Sequence, residues 1–278
     1  MCLNKLCVRH TLNFAILMMA FTFGMHVNAT ETDFWNENTS SKGSIDHSKW
    51  QAILDKYIQV EKLETESSAI NFFRYGAVSK EDVAHLKSYL SYLQSIEPRD
   101  YSSQEQFAYW VNLYNALTIH LVLENYPVKS ITKIGSFFSF GPWDDEVAEI
   151  SAERLTLNDI EHKILRPIWK DPRIHYAVNC ASFGCPNLSA KAFTAENAEE
   201  LLEQGARDYV NHSRGVLVKG KNLILSKIYK WYVEDFGNTE AGVIEHMRQY
   251  ASPDLVKRIE SFDGKIKYEY NWDLNEKK

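Results

Sequence analysis

Apolar residues recur every three or four positions along several segments of the chain, which is the spacing of an amphipathic helix. The first such segment begins at His47 and continues to Leu63. A second helix is predicted to begin after Ser79, a residue type that caps helix N-termini, and to end before Pro98. Further helices are predicted over residues 156–165, 194–211, 227–236 and 241–250, and another from Ser252.

Residues 104–125 show a different pattern, because apolar side chains occupy nearly every side of the predicted helix. A helix that is apolar all round is buried. The segment nevertheless carries Asn112, Asn115, Thr118 and His120. Because a buried polar group without a hydrogen bond costs about 1–3 kcal/mol, we expect polar groups elsewhere in the protein to meet this helix.

Strands are predicted where apolar residues run together or alternate with polar ones. Residues 173–180 have the composition of a buried strand, residues 216–225 predict a hairpin around Gly220, and residues 266–270 predict a final strand. The fold class expected is therefore α+β, with a small, mainly antiparallel sheet packed on a buried central helix. Without a repeat or a linker, residues 47–278 are predicted to form a single helix-rich domain.

The first 29 residues have the three-part pattern of a cleavable secretory signal peptide. Basic residues come first, residues 12–23 are mostly apolar, and small residues precede the expected cleavage after Ala29. The apolar run is short for a membrane span, which needs about 20 residues. We expect an exported protein, periplasmic or extracellular, that begins near Thr30 with a flexible lead-in over residues 30–46.

Removal of this segment would change the charge of the protein. The net charge of −6 would become −8, because Lys5 and Arg9 would be lost without any acid. An acidic chain without a run of Lys and Arg lacks the surface that attracts nucleic acid. No second apolar run approaches membrane length, so we expect a soluble mature protein that binds no nucleic acid and has no membrane span.

Removal would also leave two cysteines of four, Cys180 and Cys185. In an oxidising compartment such a pair usually forms a disulfide, which here would hold a turn. The alternatives are that one cysteine is a reactive thiol or that the pair is redox-active. A second metal-binding pair is missing from the sequence, so we expect no metal and no cofactor.

A nucleophilic thiol needs a histidine within hydrogen-bonding reach. His120, His162 and His175 are the candidates, and the sequence does not choose among them. In the predicted strand, His175 and Cys180 would point to opposite faces. Asn112 is a candidate for orienting the base or stabilising an oxyanion. The candidate ligand-binding residues are Asn115, Trp143, Glu161, Arg173 and Asn179.

Four blocks of sequence resemble a known family. They are residues 107–120 (FAYWVNLYNALTIH), 157–166 (LNDIEHKILR), 171–186 (DPRIHYAVNCASFGCP) and 231–236 (WYVEDF). In this order they resemble the uncharacterised family called domain of unknown function 547, over roughly residues 100–240. The pattern is similar in content to that of papain- and transglutaminase-like cysteine hydrolases, which combine a buried helix, histidines on strands and a cysteine. This chain departs from them because its buried helix contains no cysteine.

Two functions are therefore hypotheses. The first is a thiol-dependent hydrolase or acyltransferase that acts on a peptide or amide of the cell envelope. The second is a non-catalytic binding module for a small molecule or peptide, with a structural disulfide and a groove lined by the aromatic loop at residues 137–143. Thiol–disulfide exchange is a third possibility.

Overall fold

The computed structural model describes residues 31–62, 64–135 and 140–277. The predicted signal peptide, residues 1–29, lies outside the described residues, as do residues 136–139 of the aromatic loop. Among the helices of the described ranges, none combines the length and the apolar character needed to cross a membrane.

The described residues form α-helices, one π-helix and short strands. The α-helices are α1 (Glu31–Trp35), α2 (Ser48–Tyr57), α3 (Lys80–Gln94), α4 (Ser103–Asn125), α5 (Arg166–Trp169), α6 (Ile174–Ala177), α7 (Ala198–Val210), α8 (Ile228–Trp231), α9 (Glu240–Tyr250) and α10 (Pro253–Glu260). The π-helix is Asp159–Leu165, and 3₁₀ turns lie at Tyr75–Ala77, Pro98–Asp100 and Ile131–Lys133. The strands are β1 (Ile58–Glu61), β2 (Ile70–Phe73), β3 (Glu146–Ile150), β4 (Glu153–Thr156), β5 (Val216–Lys219), β6 (Asn222–Ser226) and β7 (Lys265–Glu269).

Helix α4 lies at the centre of the main hydrophobic cluster, as its apolar pattern predicts. Ser102 caps its first turn by accepting a hydrogen bond from the Glu105 main-chain N–H. Ala108, Trp110 and Ala116 are fully buried. The prediction of a buried central helix is therefore confirmed.

The side-chain amides of Asn112 and Asn115 on α4 meet main-chain groups of two other segments. Asn112 donates to the Phe193 carbonyl at 2.8 Å and accepts from the Phe193 N–H at 3.0 Å. Asn115 donates to the Ala177 carbonyl at 2.9 Å and accepts from the Asn179 N–H at 2.8 Å. The expectation that polar groups meet this helix is confirmed for Asn112 and Asn115, whose amides fix the segments on either side of the cysteines, whereas buried Thr118 Oγ1 has no hydrogen-bond partner among the described residues.

The prediction of a buried strand over residues 173–180 is wrong. Ile174–Ala177 forms the short helix α6, and the chain continues without regular structure to Cys180. The segment is buried, but the side-chain amide of Asn115 bonds its main chain where a neighbouring strand would have done so. An apolar run of this length does not reveal which partner satisfies its backbone.

The sheets are small and mainly antiparallel, in agreement with the predicted fold class. β1 pairs with β2, β3 with β4 and β5 with β6, all antiparallel, whereas β7 is parallel to β6. Gly220 turns the predicted hairpin with a φ of +58°. The sheet of β5, β6 and β7 belongs to a second hydrophobic cluster, which includes Leu223, Val243 and Met247.

Two further expectations differ from the structure. Residues 31–46 are not simply a flexible lead-in, because α1 is helical and Trp35 is buried with its ring centroid 5.2 Å from that of Trp110. The helix predicted from His47 ends at Tyr57, and strand β1 follows it. The apolar spacing continues across that boundary, but the pairing of β1 with β2 decides the local structure.

Candidate active site

A cleft of about 430 Å³ opens beside the two cysteines. Cys180, Cys185 and His175 line it, together with Tyr114 from α4 and Glu161 from the π-helix. Much of the remaining lining is aromatic and comes from the loop after residue 139, from α8 and the residue that follows it, and from the C-terminal segment. We call this space the thiol cleft.

The Cys180 sulfur has three polar neighbours. Its Sγ lies 2.7 Å from Cys185 Sγ, 3.2 Å from Ser182 Oγ and 3.1 Å from Tyr270 Oη. Burial alone would raise the pKa of the Cys180 thiol, but hydrogen bonds from Cys185, Ser182 and Tyr270 hold that pKa below its ordinary value. Cys180 is therefore the cysteine that forms a thiolate more readily.

Cys185 is the cysteine that keeps its proton. Burial raises the pKa of the Cys185 thiol well above its ordinary value, and the neighbouring Cys180 raises it further. In the neutral pair the Cys180 thiol donates to Cys185 Sγ. When Cys180 loses its proton, Cys185 retains its own and becomes the donor to the thiolate.

Both cysteines are free thiols in the structure. The Cys180–Cys185 disulfide expected from the predicted export is therefore not present. The Cys180 main-chain N–H also donates to Cys185 Sγ, at 3.0 Å. The two residues are therefore linked by hydrogen bonds and not by a covalent bond.

Main-chain and amide contacts hold the cysteine loop, residues 180–185, in place. The Asn179 side chain donates to the Pro186 carbonyl at 2.7 Å and accepts from the Ala181 N–H at 2.8 Å. Gly184 donates to the Asn271 carbonyl at 2.8 Å, and a Cβ there would lie 2.8 Å from the Asn271 nitrogen. Only glycine permits this close approach to the C-terminal segment that carries Tyr270.

His175 is held by a carboxylate that lies far away in the sequence. Its Nε2 is 2.6 Å from Asp235 Oδ2, and its ring stacks on Tyr232 with centroids 4.3 Å apart. Arg166 Nε donates to the same Asp235 oxygen at 2.6 Å. Burial would raise the pKa of Asp235, but hydrogen bonds from His175 and Arg166 lower it to about 2.

The charge of Asp235 determines the tautomer of His175. A carboxylate only accepts hydrogen bonds, so Nε2 of His175 carries the proton that Asp235 receives. In the neutral imidazole, Nδ1 is then the nitrogen that can take up a proton. This Nδ1 lies 3.7 Å from Glu161 Oε1, so carboxylates face both nitrogens of the ring.

The structure brings part of the predicted site together in the thiol cleft. Cys180, Cys185, His175, Glu161 and Trp143 line it. The candidates that do not line it are His120, His162, Asn112, Asn115, Arg173 and Asn179.

The candidates outside the cleft have other contacts. His120 Nε2 lies 3.4 Å from Glu124, one turn further along α4. His162 contacts Arg166 and lines a neighbouring depression. Arg173 is paired with Asp171. Because the amides of Asn112 and Asn115 are bonded to main chain, they position segments and do not face a substrate.

The sequence patterns did not single out Tyr232 and Tyr270, which line the cleft, or Asp235, which binds His175 from outside it. Asp235 and Tyr232 fall in the block 231–236 that resembles the family, so a signal was present for them. Tyr270 lies 90 positions from the cysteine that it contacts, in a segment without a motif. Only folding brings it to the sulfur.

Within residues 31–62, 64–135 and 140–277, no group of three or more His, Cys, Asp or Glu side chains is placed to hold a metal ion.

The protein has been compared with known families and proteins. Residues 98–210 match the family model described as "Protein of unknown function, DUF547". The predicted resemblance is thus confirmed. The DUF547 match includes α4, the π-helix, His175 and both cysteines, and it ends before Asp235 and Tyr270. No curated protein and no solved structure matches the chain.

Proposed function

We propose that the protein is a thiol-dependent hydrolase or acyltransferase that acts on a peptide or amide of the cell envelope, with Cys180 as its nucleophile. One observation carries the proposal: three polar groups lie within hydrogen-bonding distance of the Cys180 sulfur, in a cleft that also contains His175. A thiol with a lowered pKa in a partly open cleft is the usual environment of a reactive cysteine.

The first half of the reaction forms an acyl-enzyme. The Cys180 proton passes to His175 Nδ1, and the thiolate attacks the carbonyl carbon of the substrate to form a C–S bond. The carbonyl electron pair moves onto oxygen. When it returns, the C–N bond breaks, and the leaving amine takes the proton from the His175 imidazolium.

The second half restores the enzyme. His175 Nδ1 accepts a proton from water, or from an acceptor amine, as that nucleophile attacks the thioester carbon. Collapse of the tetrahedral intermediate breaks the C–S bond and releases an acid or a new amide. Cys180 leaves as a thiolate beside the protonated His175. Asp235 supports both halves, because its carboxylate is bonded to the imidazole that carries the extra charge.

Two tyrosines are candidates for stabilising the oxyanion. Tyr114 and Tyr232 line the thiol cleft, and burial raises the pKa of both phenols. They therefore remain protonated and able to donate throughout the ordinary pH range. A donor fixed in a site of low polarity stabilises developing negative charge better than water does.

Thiol labelling of the native protein tests the nucleophile. Iodoacetamide at pH 7, followed by peptide mass spectrometry, should modify Cys180 first and Cys185 only after unfolding. 4-Nitrophenyl acetate should release one equivalent of nitrophenol in a burst and leave an acetyl group on Cys180. Cys180→Ser should lose the burst, whereas Cys185→Ser should retain it. A native protein whose two sulfurs are locked in a disulfide under assay conditions would refute the mechanism.

The cell-envelope location is part of the proposal and rests on the signal-peptide pattern of residues 1–29. Intact mass measurement of the protein recovered from the producing cells should give a mature N-terminus near Thr30. A mature protein that still begins at Met1 would remove the envelope substrate from the proposal and leave the thiol chemistry to be tested separately.

The second candidate function is a non-catalytic binding module of the cell envelope. The specific observation in its favour is the exposure of two large rings beside the cleft, Phe140 at 66% and Trp231 at 41%. A binding module would keep its ligand when both cysteines are replaced by serine, and it would form no acyl-enzyme. The nitrophenol burst therefore separates the two functions.

A further inference from the structure

The described lining of the thiol cleft has an unbalanced charge. It includes the carboxyl groups of Asp144 and Glu161 and no Lys or Arg. The neighbouring guanidinium of Arg166 is bonded to Asp235 and Glu234, so two other carboxylates already share its charge. Ionisation of the cleft thiol would add a further negative charge.

Glu161 is the more deeply placed of the two acids. Its side chain is only 8% exposed, yet it lines the cleft. Two imidazole nitrogens lie beside its carboxylate, His175 Nδ1 at 3.7 Å and His162 Nδ1 at 4.0 Å, and each is charged only when it is protonated. Burying a carboxylate costs free energy unless a positive charge or a hydrogen-bond donor pairs with it. The Glu161 carboxylate is therefore suited to bind a positively charged group of a ligand.

Four aromatic rings lie close together in the thiol cleft. The centroid of the Trp272 ring lies 5.3 Å from that of Phe140, 5.6 Å from Trp143 and 5.6 Å from Trp231. All four rings line the same cleft as the carboxylates. Ring faces attract cations and also contact alkyl chains, whereas an anion gains nothing from them. A site that contains both aromatic rings and carboxylates is suited to bind an ammonium group.

We propose that the thiol cleft selects acyl substrates that carry a protonated primary amine on an alkyl chain, as in an amide of a basic diamino acid. The rings around Trp272 hold the alkyl chain and the ammonium group, and Glu161 and Asp144 neutralise its charge. This inference rests on the proposed function for the acyl chemistry, but the recognition of the amine is separable from it.

Binding is tested in a protein that has no nucleophile. Cys180→Ala is titrated at pH 7 with hexylammonium, 1-hexanol and hexanoate, and tryptophan fluorescence is followed. Hexylammonium should bind about tenfold more tightly than hexanol, and hexanoate should bind more weakly than either. Equal affinities for hexylammonium and hexanol would overturn the inference.

Single substitutions identify the residues that bind the ammonium group. In the same background, Glu161→Gln should weaken hexylammonium about tenfold and leave hexanol unchanged, because shape and apolar contacts are preserved. Trp272→Ala should weaken both, and Trp272→Phe should recover part of the loss. Glu149→Gln, an exposed acid on β3 outside the cleft, is the matched control and should bind as the parent does. If Glu149→Gln weakened hexylammonium binding as much as Glu161→Gln does, the effect would come from the net charge of the protein, and the proposed ammonium site would be wrong.

An acylation assay separates the two proposals. The 4-nitrophenyl esters of 6-aminohexanoate and of hexanoate are compared with the wild-type protein. Faster acylation of Cys180 by the amino ester, about tenfold, supports both proposals. Equal acylation by the two esters supports the nucleophile and overturns the amine selectivity. Selective binding of hexylammonium without acylation by either ester supports the recognition and contradicts the acyl transfer.

Discussion

The Cys185 thiol is the neighbour that we expect to stabilise a Cys180 thiolate. It retains its proton because burial raises its pKa, and it becomes a donor when Cys180 becomes a thiolate. A hydrogen bond to a charged group contributes about 1.5 kcal/mol, so Cys185→Ala should slow alkylation of Cys180 about tenfold at pH 7. The rate of iodoacetamide labelling measures this.

The matched control for this substitution is Cys185→Ser, which keeps a donor at the same position and should slow labelling less. Equal labelling rates in the alanine variant and the wild type would show that Cys185 does not stabilise the thiolate. The two variants together separate loss of the hydrogen bond from loss of side-chain volume.

Asn112 is a structural residue, although it belongs to a block that resembles the family. Asn112→Ala would leave the Phe193 N–H and carbonyl buried without partners. We expect a loss of about 2–4 kcal/mol in the free energy of unfolding, measured by urea denaturation. Asn125→Ala, at the exposed end of the same helix, should change it by less than about 0.5 kcal/mol. Equal effects at the two positions would contradict the assignment.

At the scale of elements, the helix starts were predictable because each depends on neighbours in the sequence. Ser79 accepts from the Asp82 N–H, and Ser252 accepts from the Leu255 N–H. Thr156 and Asp159 exchange hydrogen bonds in the arrangement of a capping box, although the helix that follows is a π-helix. The helix predicted over residues 227–236 is shorter, because only Ile228–Trp231 is helical.

Helix α4 carries Asn115, whose amide anchors the segment before the cysteines. Ser102→Ala should lower the free energy of unfolding by about 1 kcal/mol through loss of the N-cap. Ser102→Asp, which also accepts from the Glu105 N–H, should restore it. Urea denaturation is the measurement, and alkylation of Cys180 in the folded protein should be unchanged. Slower labelling in Ser102→Ala would mean that the cap also positions the site.

At the scale of the whole molecule, buried histidines link stability to pH. Burial lowers the pKa of His47, His212 and His246 to about 4. The unfolded chain, with pKa values near 6.5, therefore binds more protons between these values. Their stabilising contribution is present above about pH 6.5 and is lost progressively as the pH falls towards 4.

Urea denaturation at pH 7 and pH 5 measures this loss. We expect a decrease in the free energy of unfolding of about 1–2 kcal/mol for each of these histidines. His246→Phe, which removes one titrating group from a cluster with Tyr176, should reduce the difference between the two pH values. A difference as large as that of the wild type would rule out His246 as a contributor.

The sequence by itself determined the features that depend on local spacing and on the need to satisfy the backbone. These include the buried helix α4 with its polar contacts, the hairpin at Gly220, the helix caps and the blocks that resemble DUF547. It also narrowed the candidate chemistry to two thiols and three histidines. The physical reason is that periodicity, capping and turn preferences act over a few residues.

Only tertiary structure brings the groups of the proposed site together. It favours His175 as the proposed base because Asp235, 60 positions away, binds its Nε2, and it favours Cys180 as the proposed nucleophile because Tyr270 reaches its sulfur. It also placed Asn115 against the cysteine segment in place of a neighbouring strand. Each of these choices depends on a hydrogen bond between residues far apart in the chain, and the free energy of such a bond exists only once the interior has excluded water.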